Sequence, residues 1–308
     1  MSLFILGRES TDDGTFQRQD SAFRDWPDDV QAGRYHLYVS WACPWAHRTI
    51  IARRLMGLED AISLSAVDPY REEEGWEFSG GEYADPINDF QFLSNAYDAT
   101  DPDWEGRASV PVLWDKEQHR IVNNESADVL RMLSTTFKPL ARHPVELVPE
   151  RLRDAIGALN ERLYHEVNNA VYKAGFTTRQ RVYESEVRQL FATLDEMEAR
   201  LGSNRFLFGD QPVETDWRLF TTLIRFDAVY AIHFKCSSKR IADYPRLSAY
   251  LRALYRWPGV RETVRFDEIR RHYYCTHPSI NPSGIVALMP ETDLDGFTRN
   301  LSGKTASS

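Results

Sequence analysis

Cysteine is scarce in this sequence. Only Cys43, Cys236 and Cys275 occur among 308 residues. A secreted domain that is stabilised by disulfides normally carries an even and dense set of cysteines, so this set argues against that class of protein. A reducing compartment fits better, and we expect the chain to be cytoplasmic.

Basic charge and long apolar runs are lacking as well. The chain has 37 Lys and Arg residues against 46 Asp and Glu residues, a formal net charge of -9. Because neutralising phosphates requires clustered basic side chains, we expect no nucleic-acid partner. No apolar run approaches the ~20 residues that span a bilayer, and the opening segment MSLFILGREST is too short and too weakly charged for a signal peptide. We therefore expect no membrane partner.

The sequence does contain a βαβ pattern, which follows a polar arm. Residues 1–33 are polar with scattered aromatic side chains, and they predict an arm that lies over the rest of the protein. Apolar and polar residues then alternate over 35–39 as in a strand, a helix is predicted over 44–55, and a second strand over 62–66. Two strands that are joined through one helix pair in parallel.

A hairpin and a further helix come later in the same half. Pro111 opens a strand that runs to residue 115, and a second strand is predicted at 121–122. The segment Asn-Asn-Glu-Ser before residue 127 is typical of a helix start. The order βαβ and then ββα is that of a thioredoxin-like domain, which we place at 34–140.

A long insertion, about 68–107, interrupts this domain. It is rich in Asp, Glu, Gly and Pro, yet it carries many aromatic residues, which is unusual for a disordered linker. We therefore predict an ordered loop with a function. Its aromatic residues include Trp76, Phe78, Tyr83, Phe90, Phe92, Tyr97 and Trp104.

Helical periodicity dominates the second half of the chain. It predicts helices at about 149–168, 178–201, 216–234, 246–256 and 259–270. We place an all-helical domain at 148–272 and a C-terminal tail at 273–308. The predicted fold class is thus an α/β thioredoxin-like N-terminal domain plus an all-α C-terminal domain.

Cys43 stands where the first predicted strand ends and the first helix begins. A thiolate at that position faces unpaired helix N–H groups and the positive end of the helix dipole, and both stabilise its charge. We interpret Cys43 as a nucleophilic thiol; the alternative is a small buried hydrophobic residue. The motif Cys-Pro-Trp-Ala has no second cysteine, so an external thiol must regenerate the nucleophile. Cys236 has no partner motif and is interpreted as structural.

Two other groups of polar residues have the composition of ligand-binding or metal-binding sites. Glu125 and Ser126, at a predicted helix start, are candidates to bind a ligand with a carboxylate, with plain helix capping as the alternative. His272, Cys275 and His277 supply too few ligands for a metal ion, and we predict no metal.

Several motifs together resemble a known family. The segment SWACPWAHR at 40–48, with Val110-Pro111 and Glu125-Ser126, is similar to the cysteine-type glutathione transferases. Further segments resemble the glutathionyl-hydroquinone reductases, also called xi-class glutathione transferases. These segments are SAFRDW (21–26), NNAVYKAGF (168–176), RFDAVY (225–230), HYY (272–274) and INPSGIV (280–286). The resemblance covers about residues 16–290 and implies the glutathione transferase fold.

The resemblance implies roles for the catalytic residues. Cys43 matches the family's nucleophile, and Tyr172 matches the tyrosine that donates or accepts a proton. Tyr230 and Tyr273 match tyrosines that stabilise the cysteine thiolate.

The resemblance also implies a glutathione-binding set. Trp76 of the insertion and the segment before a cis proline would contact glutathione, and Glu125 with Ser126 would hold its γ-glutamyl end. The residues of that segment are Arg107, Ala108, Ser109 and Val110.

A reaction follows from these implied roles. The Cys43 thiolate would attack the sulfur of a glutathionyl-hydroquinone and form a Cys43–glutathione mixed disulfide, while Tyr172 supplies the proton that lets the hydroquinone leave. A second glutathione would then release oxidised glutathione. Glutathione is the expected co-substrate, a glutathionylated hydroquinone the expected partner, and a homodimer the expected assembly.

Two other functions stay open. The chain is alternatively an omega-like general thiol transferase that reduces dehydroascorbate or mixed disulfides, or a non-catalytic ligand-binding protein of the same fold. The insertion with Trp76 and the set of tyrosines favour the reductase.

Two segments depart from the family pattern. A helix start that is usually Ser/Thr-x-x-Asp reads Val-Glu-Thr-Asp at 213–216, and we expect Thr215 to serve as the cap. The tail reads Ala-Leu-Met-Pro at 287–290 where relatives more often have Gly-Pro, which leaves its course open.

Overall fold

Six strands lie in the described part of the amino-terminal half. The computed structural model describes residues 14–72 and 74–295. The strands are β1 (Tyr35–Val39), β2 (Ile62–Ala66), β3 (Arg71–Glu72), β4 (Gly75–Trp76), β5 (Val112–Asp115) and β6 (Arg120–Asn123).

Four of these strands form a mixed sheet in the order β2-β1-β5-β6. β1 runs parallel to β2, with Tyr35 opposite Ile62, and antiparallel to β5. β5 and β6 form an antiparallel hairpin. The predicted parallel βαβ unit and the hairpin are both confirmed. Because β1 is fully buried, its carboxyl end lies beside the core.

Helices cover the sheet and make up the second half of the chain. The described helices are α1 (Pro44–Met56), α2 (Ser94–Thr100), α3 (Ser126–Ser134), α4 (Arg153–Leu163), α5 (Ala170–Phe176), α6 (Gln180–Arg200), α7 (Glu214–Arg225), α8 (Pro245–Tyr255) and α9 (Phe266–Thr276). None of them is long and apolar enough to cross a membrane.

Helix α1 begins and ends as its sequence predicts. Pro44 is the first helical residue, where its missing N–H costs no hydrogen bond. Gly57 closes the helix in the left-handed region, with φ of 64°. Cys43 is therefore fixed as the residue that precedes the helix.

The insertion is ordered where it is described. The hairpin β3–β4 and helix α2 lie within it, and one carboxylate ties it to the sheet. Asp85 accepts hydrogen bonds from the hydroxyl of Tyr38 in β1 and from the backbone N–H of Ile87, Asn88 and Phe90. Because these donors come from both the strand and the loop, the insertion is anchored to β1.

The helical half differs from the predicted segments in several places. Helix α5 lies between two predicted segments, and α9 begins at Phe266 and not near residue 259. Single π-helical turns interrupt the helical half at Tyr164–Asn168 and Phe226–Tyr230. Helix α9 runs to Thr276, so Tyr273 lies inside this helix and not in a tail that starts at 273. The tail is described only to residue 295.

The expectation for the start of α7 was wrong. The helix begins at Glu214 with Val213 as its N-cap, and the carboxylate of Asp216 accepts the N–H of Val213 (2.8 Å) and of Leu207 (2.9 Å). Thr215 does not cap the helix, since its hydroxyl is buried without a hydrogen-bond partner among the described residues. The acidic residue of the motif performs the capping from within the first turn.

Residues 23–25 of the predicted arm pair with β6 at the edge of the sheet. The N–H of Asp25 donates to the carbonyl of Val122 (3.0 Å), and the N–H of Asn124 donates to the carbonyl of Phe23 (3.0 Å). Arg24 forms an ion pair with Asp128 at 2.7 Å. Residues 1–13 of this predicted arm lie outside the described residues.

Candidate active site at the end of the first strand

Cys43 occupies the turn between β1 and α1. Its backbone is extended, and its carbonyl accepts the N–H of His47 in the first hydrogen bond of the helix (3.0 Å). Its thiol is partly exposed and lies 3.7 Å from the carbonyl oxygen of Val110. The thiol thus faces the chain segment that leads into Pro111.

A cavity of about 330 Å³ opens beside this thiol. It brings together most of the residues that the sequence singled out, from the sheet domain, the insertion and the helical domain. Those residues are Cys43, Trp76, Arg107, Ala108, Ser109, Val110, Tyr172 and Tyr273.

Glu125 and Ser126 line a second, adjoining cavity of about 370 Å³. Arg18, Trp45, Arg107, Ser109 and Val110 line both cavities, so the two form one continuous site.

Three tyrosine hydroxyls form a short chain at the wall of the first cavity. The hydroxyl of Tyr273 lies 2.5 Å from that of Tyr172 and 3.0 Å from that of Tyr230. Burial raises the pKa of each phenol, so all three are protonated at neutral pH. Two hydrogen bonds use two of the three O–H protons, which leaves one proton for a ligand. Tyr172 and Tyr273 line the cavity, whereas Tyr230 is fully buried and joins them through Tyr273.

The segment before Pro111 is held by Tyr97 of the insertion. The hydroxyl of Tyr97 donates to the carbonyl of Ser109 (2.7 Å) and accepts the N–H of Ser109 (3.0 Å). The Val110–Pro111 peptide bond is cis, as the resemblance implied. The N–H of Arg107 donates to Gln19 of the arm (3.0 Å). Backbone groups of this segment therefore lie at a fixed position beside the thiol.

Glu125 is a helix cap, and its other oxygen faces the arm. One carboxylate oxygen accepts the N–H of Ala127 (3.0 Å), and the second accepts the hydroxyl of Ser21 (2.9 Å). The hydroxyl of Ser126 lies 3.5 Å from a guanidinium nitrogen of Arg48. The capping role is therefore present, and the role in ligand binding stays a prediction.

Trp76 stacks on a histidine of the last helix. The rings of Trp76 and His272 lie 4.9 Å apart at an angle of 24°. Nδ1 of His272 donates to the carbonyl of Pro69 (2.9 Å), and burial lowers the pKa of His272 to about 3, so the ring is neutral. The indole thus rests on an uncharged surface that α9 supplies.

A buried arginine that sequence reasoning missed fixes the turn before Cys43. The guanidinium of Arg225 donates to the carbonyls of Ala42 (2.9 Å) and Trp41 (3.0 Å) and lies 3.0 Å from Nδ1 of His47. Since a guanidinium only donates, Nδ1 of His47 accepts, and the Nε2–H of His47 donates to Thr263 (2.8 Å). The helical domain therefore holds the cysteine turn in place.

Sequence reasoning also missed Arg18, Trp45, Phe16 and Phe176, which line the first cavity. Phe16 stacks on Phe176, with 5.4 Å between ring centroids, and the guanidinium of Arg18 lies 4.6 Å from the ring of Trp45. An aromatic wall next to phenol hydroxyls suits a flat ring that carries oxygen.

Neither of the other two cysteines lines the two cavities. Cys236 is fully buried, and burial raises the pKa of its thiol to about 12, which fits a structural role. The thiol of Cys275 lies 3.6 Å from the carbonyl of Gly284. Within 14–72 and 74–295, no group of His, Cys, Asp and Glu side chains is arranged to hold a metal ion.

Comparison with known proteins agrees with this architecture. Two family models match the chain, the glutathione S-transferase N-terminal domain over residues 42–136 and the C-terminal domain over residues 180–253. The glutathionyl-hydroquinone reductase YqjG of Escherichia coli is 48% identical over 92% of this chain and 91% of its own length. The glutathionyl-hydroquinone reductase PcpF of Sphingobium chlorophenolicum is 44% identical over 92% and 93%.

A solved structure gives the same result in three dimensions. The glutathione-bound structure of YqjG is similar with a TM-score of 0.87 and 47% identity, over 89% of this chain and 94% of that one. The chain belongs to the glutathionyl-hydroquinone reductases, the xi class of the glutathione transferases. The predicted fold class, a thioredoxin-like domain followed by an all-α domain, is confirmed.

Proposed function

We propose that this protein is a glutathione-dependent reductase that removes glutathione from glutathionyl-hydroquinones. The observation that carries the proposal is the shared cavity: the thiol of Cys43 and the hydroxyls of Tyr172 and Tyr273 line the same space. A nucleophile for the glutathione sulfur and a proton donor for the departing ring are thus within one site.

The reaction proceeds in two half-reactions. The Cys43 thiolate attacks the glutathione sulfur, the carbon–sulfur bond to the aromatic ring breaks, and its electron pair takes a proton from the tyrosine chain through Tyr172. The products are the hydroquinone and a mixed disulfide on Cys43. A second glutathione thiolate attacks that disulfide, which gives oxidised glutathione and restores the Cys43 thiolate.

Glutathione occupies both adjoining cavities in this proposal. Its cysteine lies near Cys43, its backbone pairs with the segment Arg107, Ala108, Ser109 and Val110, and Trp76 covers it. Its γ-glutamyl end reaches Glu125 and Ser126. The hydroquinone ring lies against the aromatic wall of the first cavity.

The first test compares substrates. Turnover of glutathionyl-menadiol with glutathione is expected to exceed turnover of dehydroascorbate, because the cavity joins an aromatic wall to phenolic donors. Preference for dehydroascorbate would make the chain an omega-like thiol transferase instead. Activity is measured as kcat/KM for each substrate under the same conditions.

The second test removes the nucleophile. Cys43→Ala is expected to lower kcat for glutathionyl-menadiol by at least about 10³-fold, since no other route to the mixed disulfide exists in this mechanism. Cys275→Ala is the matched control, because this thiol lies outside the residues that line the cavities, and its activity is expected to be unchanged. Full activity in Cys43→Ala contradicts the covalent mechanism.

We also propose that the protein is a cytoplasmic homodimer. The sparse cysteines support the reducing compartment, and the family resemblance supports the dimer. Light scattering during size-exclusion chromatography tests the assembly, with the mass of two chains as the expected result and the mass of one chain as the contrary one.

A further inference from the structure

Two arginines lie against one indole ring in the second cavity. The guanidinium carbon of Arg48 lies 4.5 Å from the ring centroid of Trp45, and that of Arg18 lies 4.6 Å from it. Arg48 is almost completely buried, with 2% of its surface exposed. Both guanidiniums therefore lie within cation–π distance of the same indole, and an anion that reached both would gain two charge-assisted donors.

Consecutive asparagines hold these two arginines. The side-chain oxygen of Asn168 accepts a hydrogen bond from Arg48 (3.1 Å), and that of Asn169 accepts one from Arg18 (3.2 Å). Both asparagines lie at the π-helical turn between α4 and α5, a type of distortion that is frequent at functional sites. This explains the first two residues of the NNAVYKAGF motif, which the catalytic proposal uses only for Tyr172.

Donors in this cluster lack acceptors among the described residues. Nε of Arg48, Nη2 of Arg18 and Nε1 of Trp45 are buried without a hydrogen-bond partner. Neighbouring Arg218 forms an ion pair with Glu214 at 3.1 Å, although its Nε is also buried without a partner among the described residues. Burial lowers the pKa of Arg48 to about 9, as expected for a guanidinium that has left water without a full counter-ion. Buried donors of this kind are normally paired, so an anionic acceptor that entered this cavity would complete their hydrogen bonding.

We propose that Arg18 and Arg48 bind the α-carboxylate of the γ-glutamyl end of glutathione, with Trp45 as an additional donor. This inference rests on the proposed function. The same cavity contains the carboxylate of Glu125, which suits an ammonium group. Only the γ-glutamyl end of glutathione carries a carboxylate and an ammonium on one carbon, whereas the glycine end carries a carboxylate alone. Arg18 is thus a specificity-determining residue that the arm contributes.

The test measures binding by calorimetry with two unreactive ligands. One is S-methylglutathione, and the other is its analogue with a 4-aminobutyryl group in place of γ-glutamyl, which lacks only the α-carboxylate. Arg18→Met is expected to weaken binding of S-methylglutathione about tenfold and to leave binding of the analogue unchanged. Arg18→Lys is expected to recover part of the loss, because it keeps the charge but not the forked donors.

Two further variants separate this role from a structural one. Asn169→Ala leaves the cavity but removes the group that orients Arg18, and it is expected to weaken binding of S-methylglutathione selectively. Arg120→Met is the control, since Arg120 pairs with Asp25 of the arm and is expected to leave binding of both ligands unchanged. Thermal unfolding of each variant confirms that it is folded.

The outcomes distinguish the two proposals. Equal losses for both ligands in Arg18→Met, or no loss for either, overturn the role of Arg18. An unmodified protein that binds no S-methylglutathione overturns the proposed function as well. An unmodified protein that binds it and turns over glutathionyl-menadiol, with no selective effect of Arg18→Met, leaves the function intact and removes only this inference.

Discussion

The hydroxyl of Tyr273 lies between those of Tyr172 and Tyr230, and this position determines how the three tyrosines share their protons. Its hydroxyl is hydrogen-bonded to both Tyr172 and Tyr230, so in the proposed mechanism a proton that leaves Tyr172 is replaced along the chain. Because burial raises the pKa of all three phenols, the tyrosinate that forms after donation is short-lived and is reprotonated. In the proposed mechanism, the chain of three tyrosines therefore acts as a proton donor and does not hold a permanent charge.

Removing single hydroxyls from this chain gives a graded prediction. Tyr172→Phe is expected to lower kcat for glutathionyl-menadiol by about 10²-fold, because general acid catalysis typically contributes at least that much. Tyr230→Phe is expected to lower it less, since Tyr230 reaches the ligand only through Tyr273. Steady-state kinetics on both variants measure the difference. A Tyr172→Phe variant that works at the full rate shows that the proton comes from elsewhere.

Individual residues also mark the limit of the sequence prediction. Cys43 was predicted to be the nucleophile from its neighbours in the chain, because a strand end, a helix start and a proline are all local signals. Arg18 and Arg48 were not found, since each looks like an ordinary surface arginine until Asn168 and Asn169 lie beside them. Those partners are 120 and 151 positions away in the sequence.

At the scale of elements, helix α7 shows how a departure from the usual motif is accommodated. Asp216 links the N-terminus of α7 to the preceding loop and to α8, because it also accepts the hydroxyl of Tyr250 (2.9 Å). Thr215 adds no hydrogen bond to this arrangement. The sequence correctly predicted a helix here but assigned the cap to the wrong side chain, since both residues are good capping types.

A pair of substitutions tests this assignment. Asp216→Ala is expected to lower the free energy of unfolding by about 2–4 kcal/mol, because it leaves two backbone N–H groups and a phenol without an acceptor. Thr215→Val is the matched control at the adjacent buried position. It is expected to change stability by less than about 0.5 kcal/mol, since the lost hydroxyl has no partner. Urea unfolding of both variants measures these changes in the free energy of unfolding. A larger decrease for Thr215→Val than for Asp216→Ala would indicate that Thr215 is the cap.

On the scale of the whole molecule, the site depends on both domains being in contact. The thiol turn belongs to the sheet domain, while Arg225 and Thr263 of the helical domain fix it through Ala42 and His47. The two domains and their order were predicted from periodicity. Their contact was not, because no local pattern indicates which helix faces the end of β1.

Buried histidines give the whole protein a defined pH dependence. Burial lowers the pKa of His36 and His272 to about 3 and that of His233 to about 4. In the unfolded chain, the pKa of histidine is about 6.5. Below that pH the unfolded state binds more protons than the folded state, so stability falls as the pH falls. Burial also lowers the pKa values of His47 and His277. It raises the pKa of Asp216 to about 6 and raises the pKa values of Asp227 and Glu268, and these three acids act in the opposite direction.

The free energy of unfolding is therefore expected to be lower at pH 5 than at pH 7. The expected difference is on the order of 2–4 kcal/mol, because the buried histidines outweigh the buried acids. Urea unfolding at the two pH values measures it directly. Equal stability, or greater stability at pH 5, would mean that the buried histidines are not held in their neutral form.

In the proposed reaction, the Cys43 thiolate removes glutathione from an aromatic thioether. Intact-protein mass spectrometry after mixing with glutathionyl-menadiol, in the absence of free glutathione, tests it most directly. We predict that each active site releases one menadiol and gains one glutathione. Peptide mapping is expected to locate this glutathione on Cys43, and addition of free glutathione is expected to remove it. Release of menadiol from a protein whose Cys43 thiol stays unmodified would contradict the account.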